Sequence, residues 1–220
     1  MMVVRESFDN KLQELQEKMK TMSDLAGASL ERAFEAFQAK DVELALKVIE
    51  EDEVVDDLEI EINHFIIWLM AKEQPVARDL RKIIGALKIS SEIERIADFG
   101  VNIAKSTIRI GNSNSLVDIT NLEKMKDISI TMLQKGLDSF INGDIKLAKE
   151  IGELDDEVDN YSDETYKTLT SYLKEHPEET DHLVQLLLIN RYLERTADHI
   201  TNIAESAAYL IKGQMYDLNS

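Results

Sequence analysis

The sequence predicts an all-α protein: six long antiparallel helices forming two similar three-helix bundles. Apolar residues recur at threes and fours over long stretches, as an amphipathic helix requires. Two prolines and eight glycines punctuate 220 residues, and 31% of the chain is charged, a composition suited to long helices. Glu94-Arg95-Ile96-Ala97-Asp98 returns one hundred positions later as Glu194-Arg195-Thr196-Ala197-Asp198. The match continues through Asn102-Ile103-Ala104 and Asn202-Ile203-Ala204, so the halves are related.

The first predicted helix covers about 7–38, with Leu12, Leu15, Met19, Met22, Ala26, Leu30, Ala33 and Phe37 on one face. Asp41 is a good N-cap for the second, which reads to about residue 72. Pro75 suits the first turn of the third, where its missing N–H has no helical partner to lose. That helix continues to about residue 110 and carries Gly85 and Gly100, each costing about 1 kcal/mol relative to alanine. Gly111-Asn112-Ser113-Asn114-Ser115 reads as a linker, giving a first repeat over 1–111 and a second over 112–220. The fourth helix follows, with Thr120 and Glu123 as a capping box. Asn142-Gly143-Asp144 ends it and caps the fifth, and Glu175-His176-Pro177 leads to the sixth, which runs to about residue 213. Short turns force antiparallel neighbours, and three amphipathic helices can enclose one core. The methionines and aromatics of the first and fourth helices are read as core.

The formal net charge of −18 excludes a nucleic-acid surface, which needs clustered Lys and Arg, and favours cations or basic partners. With no cysteine there is neither a disulfide framework nor a thiolate zinc site. The start lacks the basic-then-apolar form of a signal peptide. The densest apolar run, Phe65 to Ala71, falls far short of the roughly 20 residues a membrane span needs. A soluble cytoplasmic protein is expected.

Positions four apart share a helix face. Glu94, Asp98 and Asn102 therefore form an oxygen-bearing ladder, and Glu194, Asp198 and Asn202 form another. Asp52 and Asp56 on the second helix correspond to Asp155 and Asp159 on the fifth, at an offset of 103. With the hairpin turn at Gln74, Asp56 lies 18 residues before it and Glu94 lies 20 after it. With the second turn at His176, Asp159 lies 17 before and Glu194 lies 18 after. Each hairpin thus gathers four carboxylates at one height, within about 3 Å of rise. Asp24 and Asp127, also 103 apart, lie at a similar height and are further candidates. Carboxylates held at one level repel one another unless cations or Arg intervene. All-oxygen donors suit hard cations such as magnesium, manganese, calcium or iron. The alternative is a solvated acidic face neutralised by Arg95 and Arg195. A ferritin-like di-iron site needs Glu-x-x-His, which fails here: His199 follows Asp198 directly, and Phe99 replaces it in the first half. His64, His176 and His182 have no ligand spacing and read as surface or turn residues.

At Pro75-Val76-Ala77-Arg78-Asp79-Leu80-Arg81, Glu94-Arg95-x-x-Asp98, and Leu193-Glu194-Arg195-x-x-Asp198-His199-x-x-Asn202-Ile203-Ala204-Glu205, the chain resembles the PhoU family, the phosphate-uptake regulators associated with bacterial phosphate transporters. The resemblance covers nearly the whole chain. It implies two three-helix bundles with multinuclear metal clusters on paired acidic motifs. Asp52, Asp56, Glu94 and Asp98 match the first cluster; Asp155, Asp159, Glu194 and Asp198 match the second. The ions implied are divalent or trivalent: iron, magnesium, manganese or zinc. The implied role is negative regulation of the phosphate-starvation response, in concert with a sensor histidine kinase and the transporter's ATPase subunit. Membrane contact would come only through those partners, and a homodimer is expected. The Pro-x-Ala-x-Asp-Leu-Arg segment has no clear copy after Pro177, so any role of Asp79 and Arg81 belongs to the first half.

Three functions compete on the residues alone: a metal-binding regulatory adaptor, a dinuclear metalloenzyme (hydrolase or oxidase), and a structural bundle presenting a surface to partner helices. The sequence has no nucleophile–base constellation and no Gly-rich phosphate loop, which favours the adaptor. Its link to phosphate comes from the resemblance.

Overall fold

The computed structural model describes residues 2–111 and 119–212, which contain no strand. The helices are α1 (Met2–Ala39), α2 (Val42–Glu51), α3 (Glu53–Glu73), α4 (Ala77–Ile110), α5 (Leu122–Asn142), α6 (Ile145–Glu175) and α7 (Thr180–Lys212). The predicted linker 112–115 and the predicted helix end at residue 213 lie outside the described residues.

Most predicted boundaries follow local chemistry. Asp41 Oδ1 accepts the Leu44 N–H at 2.9 Å and caps α2, while Asp144 Oδ1 accepts the Lys146 N–H at 2.9 Å and caps α6. Lys40 and Gly143, equivalent in the repeat, both turn the chain with positive φ, 56° and 69°. Four boundaries differ from expectation. α1 starts at Met2, before the predicted start near residue 7. α5 starts one residue after Asn121, whose N–H bonds the Thr165 hydroxyl at 3.1 Å, so the Thr120–Glu123 capping box is not its N-terminus. Pro75 precedes the N-cap Val76 and does not open α4, whereas Pro177 starts a short 3₁₀ turn before α7. The second predicted helix is divided at Asp52, whose carbonyl accepts from both Val55 and Asp56. Val42–Glu73 is one residue longer than its counterpart Ile145–Glu175, and the extra residue falls in the first hairpin alone.

Each half is a three-helix bundle, but the halves are not separate bodies. α4 lies along α7, and α1 packs on α5. Met19, Leu30, Ile93 and Ile96 of the first half and Met132, Leu133, Leu193 and Ile203 of the second belong to one continuous core. The core face predicted for α1 is buried from Leu15 to Phe37.

Glycine marks the closest crossings. A Cβ on Gly100 would lie 2.8 Å from Ser29 Oγ and 3.2 Å from the Leu30 amide nitrogen, so α4 approaches the backbone of α1. The equivalent of Gly100 is Ile200. There the small residue has moved to the partner helix: Gly136 of α5 faces Ile200 and Ile203 of α7. Gly100→Ala is therefore expected to lower stability by about 1–3 kcal/mol, because backbone on α1 must yield. Gly136→Ala, whose Cβ meets side chains only at 3.4 Å or more, is expected to be neutral or to gain up to about 1 kcal/mol of helix propensity. Thermal unfolding of the two variants checks this; equal losses would contradict it.

Candidate metal centres

Asp52 lies at the α2–α3 junction, Asp56 in α3, and Glu94 and Asp98 in α4. The helices are antiparallel, so Asp52 comes level with Asp98 and Asp56 with Glu94. Their fields overlap. The Asp52 carboxyl is pushed up to about 6, by burial first and then by the charges of Asp56 and Asp98, with Lys105 opposing. Glu94 is raised by burial and by Asp98, against the pull of Arg95. The second half repeats the register on α6 and α7. Asp155, only 6% exposed, is pushed up to about 7 by burial and then by Asp159 and Asp198. Asp159 is raised by burial, Asp198 and Glu194. The eight carboxylates read from sequence thus act on one another in two groups, one across each hairpin, with Glu59 joining the first field and Asp156 and Asp163 the second.

Cations cover them unevenly. Arg95 pairs with Asp98 at 3.1 Å and with Glu94 at 3.6 Å, as expected. Its counterpart Arg195 does not take up that role: its guanidinium sits 5.6 Å from the Phe99 ring centre, and Arg191 pairs with Glu194 instead. Lys105, seven residues beyond Asp98 and so on the same face, was not singled out from the sequence. The second half has Glu205 in its place. Asp155 is also the more deeply buried of the two equivalent acids, and burial is the first cause of both rises.

The lower-ranked candidates sit elsewhere. Asp24 lines a groove of about 430 Å³ between α1 and α5, with Gln134 and Asp138 opposite. Asp127 is largely exposed and pairs with Lys126. Asn202 donates to Glu92 Oε2 at 3.3 Å, across the α4–α7 seam. The ladder reading failed here because four residues overshoot a full turn. Eight residues on from Glu194, the side chain has rotated by about 80°. Asn102 holds the equivalent half-buried position on α4.

The same seam holds a pair that sequence reading missed. His199 Nδ1 lies 2.7 Å from Glu92 Oε2, both partly buried. Burial opposes ionisation of Glu92, but the hydrogen bonds from His199 and Asn202 prevail and hold it below its ordinary range. No repeat signal marks Glu92, since position 192 is tyrosine. His64 is exposed and His176 occupies a turn, as expected. His182 is not a surface residue: it is 8% exposed with neither ring nitrogen hydrogen-bonded, and burial lowers its basicity.

Does the donor set suit a cation? Among the described residues, no three histidine or carboxylate side chains are drawn close enough to grasp one ion. Yet Asp52 Oδ1 and Asp155 Oδ1, equivalent atoms of the two halves, are both buried without a hydrogen-bond partner. Burying an unpaired carboxylate oxygen among other carboxylates is costly. An oxygen-seeking cation would satisfy both orphans, and the all-oxygen environment suits magnesium, manganese or iron.

Two repeats of three helical rods, α2 and α3 forming one rod of the first, each with acids at the same register across one hairpin, define a two-repeat acidic helical-bundle protein. The PhoU domain matches residues 19–107 and again 122–207. The chain belongs to the PhoU family. It is 32% identical, over 99% of its length and all of the relative's, to a phosphate-specific transport system accessory protein PhoU homolog of Clostridium acetobutylicum. It is 36% identical to the homolog of Aquifex aeolicus, over 93% of this chain and 92% of that one. The crystal structure of PhoU from Pseudomonas aeruginosa superposes with a TM-score of 0.86 at 28% identity, covering 94% of this chain and all of that one. The phosphate transport system regulatory protein PhoU of Streptococcus pneumoniae gives 0.89 at 28% identity, over 96% and 99%.

The raised acids fix a pH dependence. Asp155 holds its proton more tightly folded, at about 7, than at its ordinary 3.8. Its contribution to stability is fully present below the unfolded value and is lost as pH rises through the folded one. Metal-free protein is therefore expected to lose stability between about pH 4 and pH 7. Asp155→Asn should flatten that profile by at least about 1 kcal/mol relative to wild type. Chelator-treated protein melted across this range checks it; parallel profiles would contradict the assignment.

Proposed function

We propose that the protein is a cation-binding regulatory adaptor of phosphate uptake, and no enzyme. The single observation behind the metal half of this reading is the matched pair of buried, unpartnered oxygens, Asp52 Oδ1 in the field of Asp56 and Asp98 and Asp155 Oδ1 in that of Asp159, Asp198 and Asp156. The phosphate half rests on family membership and on relatives named as accessory proteins of phosphate-specific transport. In this reading Asp52, Asp56, Glu94 and Asp98 hold one centre, and Asp155, Asp159, Glu194 and Asp198 the other. Iron, magnesium, manganese or zinc ions bound there would neutralise carboxylates on facing helices and lock each hairpin. The adaptor restrains the phosphate-starvation response together with a sensor histidine kinase and the ATPase subunit of the transporter. It works from the cytoplasm as a homodimer and reaches the membrane through those partners. No helix of the described residues is long and apolar enough to cross a membrane. An apolar groove of about 370 Å³ between α4 and α7 has none of the eight carboxylates among its described lining residues, which favours an adaptor over a metalloenzyme.

Metal should stabilise folding by roughly 2.7 kcal/mol at a hundredfold excess over its dissociation constant. Glu94→Ala with Asp98→Ala should remove metal from the first centre, and Glu194→Ala with Asp198→Ala from the second. Elemental analysis and thermal unfolding with and without chelator measure both effects. Equal metal content in wild type and both variants would refute the ligand assignment. At the level of the cell, deletion of the protein should derepress phosphate-uptake genes in plentiful phosphate. Unchanged expression would count against the adaptor reading.

A further inference from the structure

Where the start of α4 passes the end of α7, a groove of about 370 Å³ opens, lined chiefly by Arg81, Ile84, Gly85, Lys88, Tyr209 and Leu210. Glu205 and Ser206 complete its wall. Ile84 is 48% exposed and Tyr209 43% exposed, so large apolar side chains face outward here. Gly85 sits on the groove floor with the Leu210 side chain packed directly on it, where a Cβ would collide. Among the described lining residues Arg81 and Lys88 outnumber Glu205, which makes the groove locally basic on a chain of net charge −18, with Glu92 beyond it in the field of Lys88.

The internal repeat serves as a control. At the positions equivalent to Arg81, Gly85 and Lys88, the second half has Asp181, Gln185 and Leu188. The same fold is therefore built there without the glycine and without either cation. The glycine admits Leu210, but the two cations are not demanded by helix packing. An open apolar trough flanked by positive charge suits the face of an amphipathic helix whose edges are acidic. A second copy fits poorly. A two-fold dimer on this face sets the same patch against itself, Arg81 and Lys88 against Arg81 and Lys88.

We propose that this groove docks an amphipathic segment of a partner protein, apolar on the inserted face and acidic at its edges. The proposal rests on the adaptor reading and gives that adaptor one of its contact surfaces. The test places a photocrosslinker, p-benzoylphenylalanine, at Ile84 and, separately, at Val184, the equivalent site of the second half, in the full-length protein in cells. The expected result is a crosslink from position 84, but not from 184, to a segment of one protein that carries apolar and acidic residues. Arg81→Glu with Lys88→Glu should cut the yield at least tenfold, and acid-to-lysine changes in the captured segment should restore it. Gly85→Gln, which copies the second half, should also abolish the crosslink while the melting profile stays that of a folded helical protein. Both variants should derepress phosphate-uptake genes as deletion does. Crosslinks to a second copy, to residues 213–220 of the same chain, or equally from 84 and 184 would overturn the proposal. So would charge-reversed protein that still regulates normally in cells where deletion derepresses, and there the adaptor reading would survive. If deletion itself leaves expression unchanged, that reading falls, and this proposal with it.

Discussion

Glu92 of α4 and His199 of α7 meet at 2.7 Å where the two halves join. One helical stretch away, Phe99 of α4 stacks on Tyr192 of α7, with ring centres 6.1 Å apart. These are the same two repeat positions used twice. Position 92 meets 199, and position 192 meets 99, as an approximate two-fold between antiparallel helices requires. One contact is a charged hydrogen bond and the other an aromatic stack. Because both are partly buried, they fix how α4 and α7 are rotated about their axes. That rotation aims Glu94 and Asp98 at the α2–α3 helix and Glu194 and Asp198 at α6. A different rotation would spread the carboxylates around the bundle, and neither cluster would exist.

The two-fold is also where the centres become unlike. Phe99 stands where the second half has His199, and Arg195 leans on its ring. That contact holds the guanidinium away from the second centre, while Arg95 remains on the first. Lys105 adds a further positive field at Asp52, and its counterpart is Glu205. The first cluster thus has Arg95 and Lys105 in its field, while Asp155 in the second is raised by burial and by Asp159 and Asp198. Two sites with the same ligand register need not bind cations equally, since affinity depends on the charges around the ligands as well as on the ligands themselves.

The six helices and the two clusters were legible because both depend on periodicity and counting. Residues four apart share a face, and equal distances from a turn bring them level. Asp52, Asp56, Glu94 and Asp98 needed nothing more, nor did their four partners in the second half. What stayed hidden depends on angles that one sequence does not carry. Asn202 continues the ladder on paper, but rotation over eight residues brings it to Glu92. Asp24 and Asp127 match in the repeat count, yet Asp24 lines the groove between α1 and α5 and Asp127 pairs with Lys126. Glu92 has no echo in the repeat, and its role exists only once α7 is packed against α4. The exchange of glycine between Gly100 and Gly136 is similar: a crossing needs one small residue, and either helix can supply it.

Carboxylates gathered and partly buried at one level oppose folding in the metal-free chain, because burial and mutual repulsion both disfavour the charged forms. The chain can hold them only because the surrounding helices are over-determined by packing. Ile62 lies on α3, Ile93 and Ile96 on α4, Val158 on α6 and Leu193 on α7, all at 0% exposure near the clusters in sequence. Single-methylene losses in such cores already cost about 1 kcal/mol, so the apolar layer resists the spreading that repulsion favours. The result is a scaffold stiff enough to keep acids where they would not gather unaided. Stored repulsion of this kind is what a cation would relieve on binding. The hairpins α2–α3 with α4, and α6 with α7, are the elements it would tighten, and the α4–α7 seam belongs to both. Any change of position in one hairpin must therefore either stop at the Glu92–His199 and Phe99–Tyr192 contacts or pass through them.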